Sequence, residues 1–159
     1  MQFTKFLAVV IAAILAGCVQ SVTVKTQFNP AEHEFASKPG KAVVSGQAFM
    51  RRNDGIVVYA AGSPVYLLPN TSYVREIASY GGLTSGNAQL TNGDRRLVQY
   101  SKVSQANGEG RFSFSGIPDG SYLVVTGVTW MAGDYRQGGD LMQAIAVSNG
   151  QNVDVIMAR

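Results

Sequence analysis

Histidine, tryptophan and cysteine each occur once in the 159 residues, and charged side chains make up only 14% of the chain. Each scarcity excludes something. A zinc site takes three or four convergent ligands, mostly His or Cys. His33 has no second histidine to join it, and between Glu32 and Glu34 it reads as a solvated turn. No metal and no other cofactor is expected. The lone cysteine, Cys18, forms no internal disulfide, and an exported protein gains little from a free thiol. The formal charge of +3 is a small excess of base. Arg51-Arg52 and Arg95-Arg96 are pairs of the kind found on solvated strand ends, so no nucleic-acid partner is expected. No serine stands in a G-x-S-x-G elbow, and no phosphate-binding P-loop is present. No apolar run approaches the ~20 residues of a transmembrane helix.

What is present begins with Met1-Gln2-Phe3-Thr4-Lys5, followed by ten apolar residues from Phe6 to Leu15. A short apolar segment behind a basic end has the build of a secretory signal. It closes on Leu15-Ala16-Gly17-Cys18, which resembles the lipobox of bacterial lipoproteins. The resemblance implies that residues 1–17 are removed as a signal peptide and that Cys18 is lipidated, so that the membrane itself becomes a partner. Two or three acyl chains anchor stably where one is marginal, at about 0.8 kcal/mol per buried CH₂. Val19 follows the cysteine. An Asp there would resemble the signal that holds Gram-negative lipoproteins at the inner membrane. The resemblance therefore implies a bacterial envelope protein, lipid-anchored at the outer membrane and facing the periplasm.

Removal of the signal takes Lys5 with it, lowers the formal charge to +2 and leaves 142 residues. That length suits one domain and buries a core without disulfides. Residues 18–40 read as a tether, with Val22-Thr23-Val24 as a candidate edge strand, a break at Asn29-Pro30 and a boundary at Pro39-Gly40.

From residue 41 to 159, short strands alternate with turn signals. Strands are predicted over 42–50, 56–60, 64–68, 96–103, 111–115 and 121–130. Gly46 inside the first signals a bulge or a close backbone approach. Phe112 and Phe114 alternate with polar residues and are expected to point inward. In the longest strand Tyr122, Val124, Val128 and Trp130 share one face, while Leu123 and Val125 lie on the other. Its first half is therefore expected to be covered on both sides. Thr71 or Ser72 caps a short helix through Ile77, and a long Gly-rich connection follows to residue 93. A second Gly-rich loop is predicted over 131–139. Ser148-Asn149-Gly150-Gln151 predicts a hairpin that joins strands 144–147 and 153–157.

Three pieces carry a resemblance. One is Val44-Ser45-Gly46-Gln47-Ala48 followed by Gly62-Ser63-Pro64-Val65-Tyr66-Leu67-Leu68-Pro69. Another is Gly108-Glu109-Gly110-Arg111-Phe112-Ser113-Phe114 leading into Gly116-Ile117-Pro118-Asp119-Gly120-Ser121-Tyr122. The last is the closing strand pair. In this order, over residues 41–159, they resemble the carboxypeptidase regulatory-like domain. The resemblance implies an all-β fold, an antiparallel Greek-key β-sandwich of about seven strands, transthyretin-like. Such domains mostly fold, connect or bind. Enzymes on related sandwiches fail on particular residues. A hydrolase resembling the hydroxyisourate enzymes needs several histidines and a terminal Tyr-Arg-Gly-Ser, whereas this chain ends Ile156-Met157-Ala158-Arg159. An intradiol dioxygenase needs two histidines on iron.

The expectation is thus a non-enzymatic envelope lipoprotein, a structural or assembly module with an envelope protein partner. The alternative is a glycan- or peptidoglycan-binding module. Its candidate residues are Tyr66, Tyr73 and Tyr80, on or near the long connection, and Tyr135 in the loop that follows Trp130. Aromatic faces suit sugar rings.

Overall fold

The computed structural model describes residues 19–159; the signal segment and Cys18 lie outside the described residues. In chain order the elements are β1 (Gln20–Val22), α1 (Pro30–His33) running into a 3-10 turn (Glu34–Ser37), β2 (Ala42–Arg51), β3 (Val57–Tyr59), β4 (Pro64–Pro69), α2 (Ser72–Tyr80), β5 (Ala88–Leu90), α3 (Leu97–Tyr100), β6 (Lys102–Gln105), β7 (Arg111–Ile117), β8 (Gly120–Ala132), β9 (Tyr135–Val147) and β10 (Val153–Ala158).

β2 is the axis of one sheet. β10 runs parallel along one of its edges. The other edge is shared end to end, by β7 over Ala42–Gln47 and by β3 over Phe49–Arg51, both antiparallel. The second sheet has the order β6-β4-β8-β9, antiparallel throughout. The alternation in β2 explains why the sheets close on each other: Ala42, Val44, Gly46, Ala48 and Met50 are buried, and the residues between them are half-exposed. They meet Phe112, Phe114, Tyr122, Val124, Val128, Val155 and Met157 in one core. Burying one Val, Leu, Ile, Phe or Met side chain is worth roughly 1.5–3 kcal/mol, so this layer dominates stability. Gly46 is the close approach its position signals, since a Cβ there would lie 2.3 Å from the Val155 carbonyl oxygen.

The all-β sandwich is as expected, with a third layer added. Leu123 and Val125, on the outer face of β8, pack with Tyr73, Val74 and Ile77 of α2 and with Val24. Thr71 is the N-cap of α2, its side chain accepting the Val74 amide.

Four expectations are corrected. Residues 19–38 are no tether: β1 pairs in parallel with β5, Val22, Val24 and Ala36 are buried, and His33 is fully buried rather than solvated. The outer face of β8 and the apolar side of α2 need a cover, and this segment supplies it. Residues 97–100 are helical, because Asp94 accepts the Arg96 amide and starts a turn; the strand begins only at Lys102. The glycines of 131–139 do not make a loop. β8 and β9 continue to a tight turn at Gly133-Asp134, with Gly133 at φ 61°. Finally, Asn149 and Gly150 take the left-handed conformations foreseen, at φ 56° and 62°, yet the strands beside them do not pair. β9 stays with β8, and β10 crosses to the free edge of β2. The Asp119 carboxylate accepts both turn amides, and Asn152 accepts the Val43 amide, which directs the chain across.

Candidate functional site

One end of the sandwich opens into a cleft of about 560 Å³. The end of β2 and the turn after it contribute Met50, Arg51, Arg52, Asn53 and Asp54; the β8–β9 hairpin contributes Trp130, Ala132, Gln137 and Gly138; and Arg159 follows β10. The turn is braced locally. Arg52 accepts the Gly55 amide on its carbonyl, Asp54 accepts the Ile56 amide, and Gly55 takes φ 85°. The far wall is set by register, since Trp130 pairs directly with Gln137. Cross-strand partners share a face, so the indole and the amide stand side by side. Gly138 has φ 101°, and a Cβ there would fall 2.0 Å from the Val128 carbonyl oxygen. The wall is bare at that point because nothing larger fits.

Trp130 is partly buried, packing on the inter-sheet core while lining the cleft. The polar lining is of two kinds. Asn53, Asp54 and Gln137 offer planar groups that donate or accept hydrogen bonds. Arg51, Arg52 and Arg159 offer guanidinium groups. Arg52 is paired with Asp54 at 2.6 Å. Among the described residues the Arg159 side chain reaches only the Met50 sulfur, at 3.6 Å, and its backbone carbonyl accepts the Arg51 amide at 2.8 Å, which ties β10 to β2 at the cleft.

The four candidate tyrosines part company. Tyr73 is 3% exposed, and its hydroxyl accepts the Asp94 amide at 2.6 Å. Tyr80 donates to the Thr23 carbonyl and to Glu76, each at 2.8 Å. Both are structural. Tyr66 is half-buried and lines a separate, mostly apolar cavity of about 210 Å³ beneath α2. Tyr135 is 76% exposed. It pairs with Ala132, which puts it on the hairpin face that carries Trp130 and Gln137, two pairs nearer the tip. His33 has both ring nitrogens engaged, with the Asn29 carbonyl and the Thr71 hydroxyl, and stacks on Phe28 at 4.2 Å between centroids. Sequence reasoning did not single out Asn53, Asp54, Gln137 or Arg159. Their only common signal is that they fall at strand ends, and it takes the pairing of β2 with β10 and of β8 with β9 to gather them.

No family model and no curated protein matches the sequence. Solved structures do. A candidate carbohydrate binding protein from Pseudomonas aeruginosa is similar with a TM-score of 0.74 at 24% identity, over 84% of this chain and 99% of its own. A DUF3823 family protein from Parabacteroides merdae reaches a TM-score of 0.40 at 11% identity, over 76% of this chain and 46% of that one. The major pilin subunit of Bacillus cereus reaches 0.41 at 12% identity, over 76% and 31%. The first likeness is one of fold, and it spans nearly the whole of that protein.

Proposed function

We propose that this chain is a non-enzymatic envelope lipoprotein, anchored through Cys18, that binds saccharide in the Trp130 cleft. The carrying observation is that cleft: the chain's one tryptophan lies beside Asn53, Asp54 and Gln137 in a space of about 560 Å³. Small-molecule sites run to about 300–1,000 Å³, so a sugar or two fits. A pyranose has a C–H face that packs on an indole and a rim of hydroxyls that seek planar amides and carboxylates. The cleft presents both. What the Pseudomonas protein is named for agrees with this reading.

The single tryptophan makes the test direct, because emission excited selectively at tryptophan, apart from the seven tyrosines, reports the cleft. Titration of the full chain with oligosaccharides cut from envelope polysaccharide is expected to change Trp130 emission saturably. Asn53→Ala and Gln137→Ala are expected to weaken that binding with little change in melting temperature. No emission change and no calorimetric heat with any saccharide would overturn the proposal.

A further inference from the structure

The guanidinium groups of the cleft exceed what its own acids neutralise. Of the residues that line it, Arg51, Arg52 and Arg159 are cationic and Asp54 is anionic. Arg52 and Asp54 satisfy each other at 2.6 Å. Among the described residues neither Arg51 nor Arg159 has a carboxylate within ion-pair distance. The Arg159 guanidinium instead sits against a thioether and over Gly139, where a Cβ would come within 3.0 Å of it. A neutral sugar can accept hydrogen bonds from such a group but leaves its charge uncompensated. Guanidinium is a planar fork of donors matched to carboxylate and phosphate oxygens, and charge-assisted pairs of this kind are roughly twice as strong as neutral hydrogen bonds.

Resting on the saccharide reading, we infer that the ligand is an anionic saccharide, its carboxylate or phosphate held by Arg159 with Arg51 while a ring lies on Trp130. The indole and the polar side chains recognise the sugar; the free guanidinium groups select its charge. The same arrangement makes binding sensitive to ionic strength, since exposed charge pairs are screened over about 10 Å at 0.1 M salt.

The experiment is a Trp130 fluorescence titration of the full chain with four probes: an oligouronate, a sugar phosphate, a neutral oligosaccharide of the same length as the oligouronate, and inorganic phosphate alone. One or both anionic sugars are expected to bind at least about tenfold tighter than the neutral one, as charge-assisted hydrogen bonds require. Which of the two does so tells carboxylate from phosphate. Arg159→Gln and Arg51→Gln are expected to erase that preference, bringing anionic and neutral sugars to within about twofold of each other. Equal affinity for neutral and anionic sugars would overturn the inference and leave the saccharide reading standing. Binding of inorganic phosphate as tight as that of the sugar phosphate would also overturn it, because the cleft would then be a bare anion site. No response to any saccharide would overturn the saccharide reading, and this inference with it. The comparison among probes on the unmodified chain holds whether or not the variants fold.

Discussion

His33 and Thr71 share a buried hydrogen bond of 3.0 Å that joins the N-terminal segment to α2. The Asn29 carbonyl, 2.8 Å from Nδ1, can only accept, so in the neutral ring Nδ1 carries the proton and Nε2 accepts from the Thr71 hydroxyl. The same Thr71 oxygen accepts the Val74 amide at 3.3 Å and caps the helix. One hydroxyl thus serves two elements. Thr71→Ala removes a cap worth about 1 kcal/mol and strands a buried ring nitrogen at about 1–3 kcal/mol. The expected loss is about 2–4 kcal/mol by denaturant unfolding, with Thr71→Ser close to the parent. A loss below about 0.5 kcal/mol would show that the pair carries little.

Glu76 clasps the same segment one turn further along. Its carboxylate accepts the Lys25 amide at 2.7 Å and the Thr26 amide at 2.6 Å. Hydrogen bonding from the Thr26 side chain comes first among the causes that hold the Glu76 carboxyl down at about 2, followed by the two amides and the Tyr80 hydroxyl. The folded chain favours the ion, so the clasp is complete above the ordinary carboxyl value of 4.5 and is lost as pH falls towards about 2. Amide exchange at Lys25 and Thr26, followed by NMR, is expected to lose protection across that window. Glu76→Gln is expected to flatten the dependence. Protection that stays constant down to the lower limit would refute the assignment.

Much of the sandwich was legible because its signals are local. Phe112 and Phe114 alternate, Thr71 caps a helix, Asn149-Gly150 turns left-handed, and Leu123 with Val125 demands a second covering layer. What covers that layer was not legible. Val22, Val24 and His33 are spaced like a linker, and only the apolar side of α2 and the outer face of β8 give them a partner. The candidate site has the same character. Trp130 was visible as a lone aromatic at a strand end, but Asn53, Gln137 and Arg159 converge on it only through the register of β8 with β9 and the parallel docking of β10 on β2. A two-residue turn is written in two residues; a pairing between distant strands is a competition that no short window contains.

The proposed anchoring through Cys18 makes a cellular prediction. Cys18→Ser is expected to move the protein from the membrane fraction to a soluble or precursor form, as followed by acyl labelling and fractionation. The proposed anchor relies on two or three acyl chains, each CH₂ contributing about 0.8 kcal/mol. Retention of the variant on membranes washed in high salt would mean that another part of the chain attaches it.

The tyrosines separate a binding role from a packing role. Tyr73 is buried and its hydroxyl accepts the Asp94 amide, so Tyr73→Phe leaves that amide without its acceptor. The expected cost is about 1–3 kcal/mol of stability with saccharide affinity unchanged. Tyr135 is exposed and stands two cross-strand pairs beyond Trp130 and Gln137, on the same face. Tyr135→Ala is expected to leave stability within about 0.5 kcal/mol, as exposed substitutions generally do, and to weaken binding of saccharides long enough to extend past Trp130 towards the hairpin tip. A monosaccharide, held by the cleft alone, should not sense the change. Melting curves and Trp130 titrations with a short and a long oligosaccharide read both effects on one pair of proteins. Equal losses for short and long ligands would mean that Tyr135 acts by deforming the hairpin, and no loss for either would confine the site to the cleft itself.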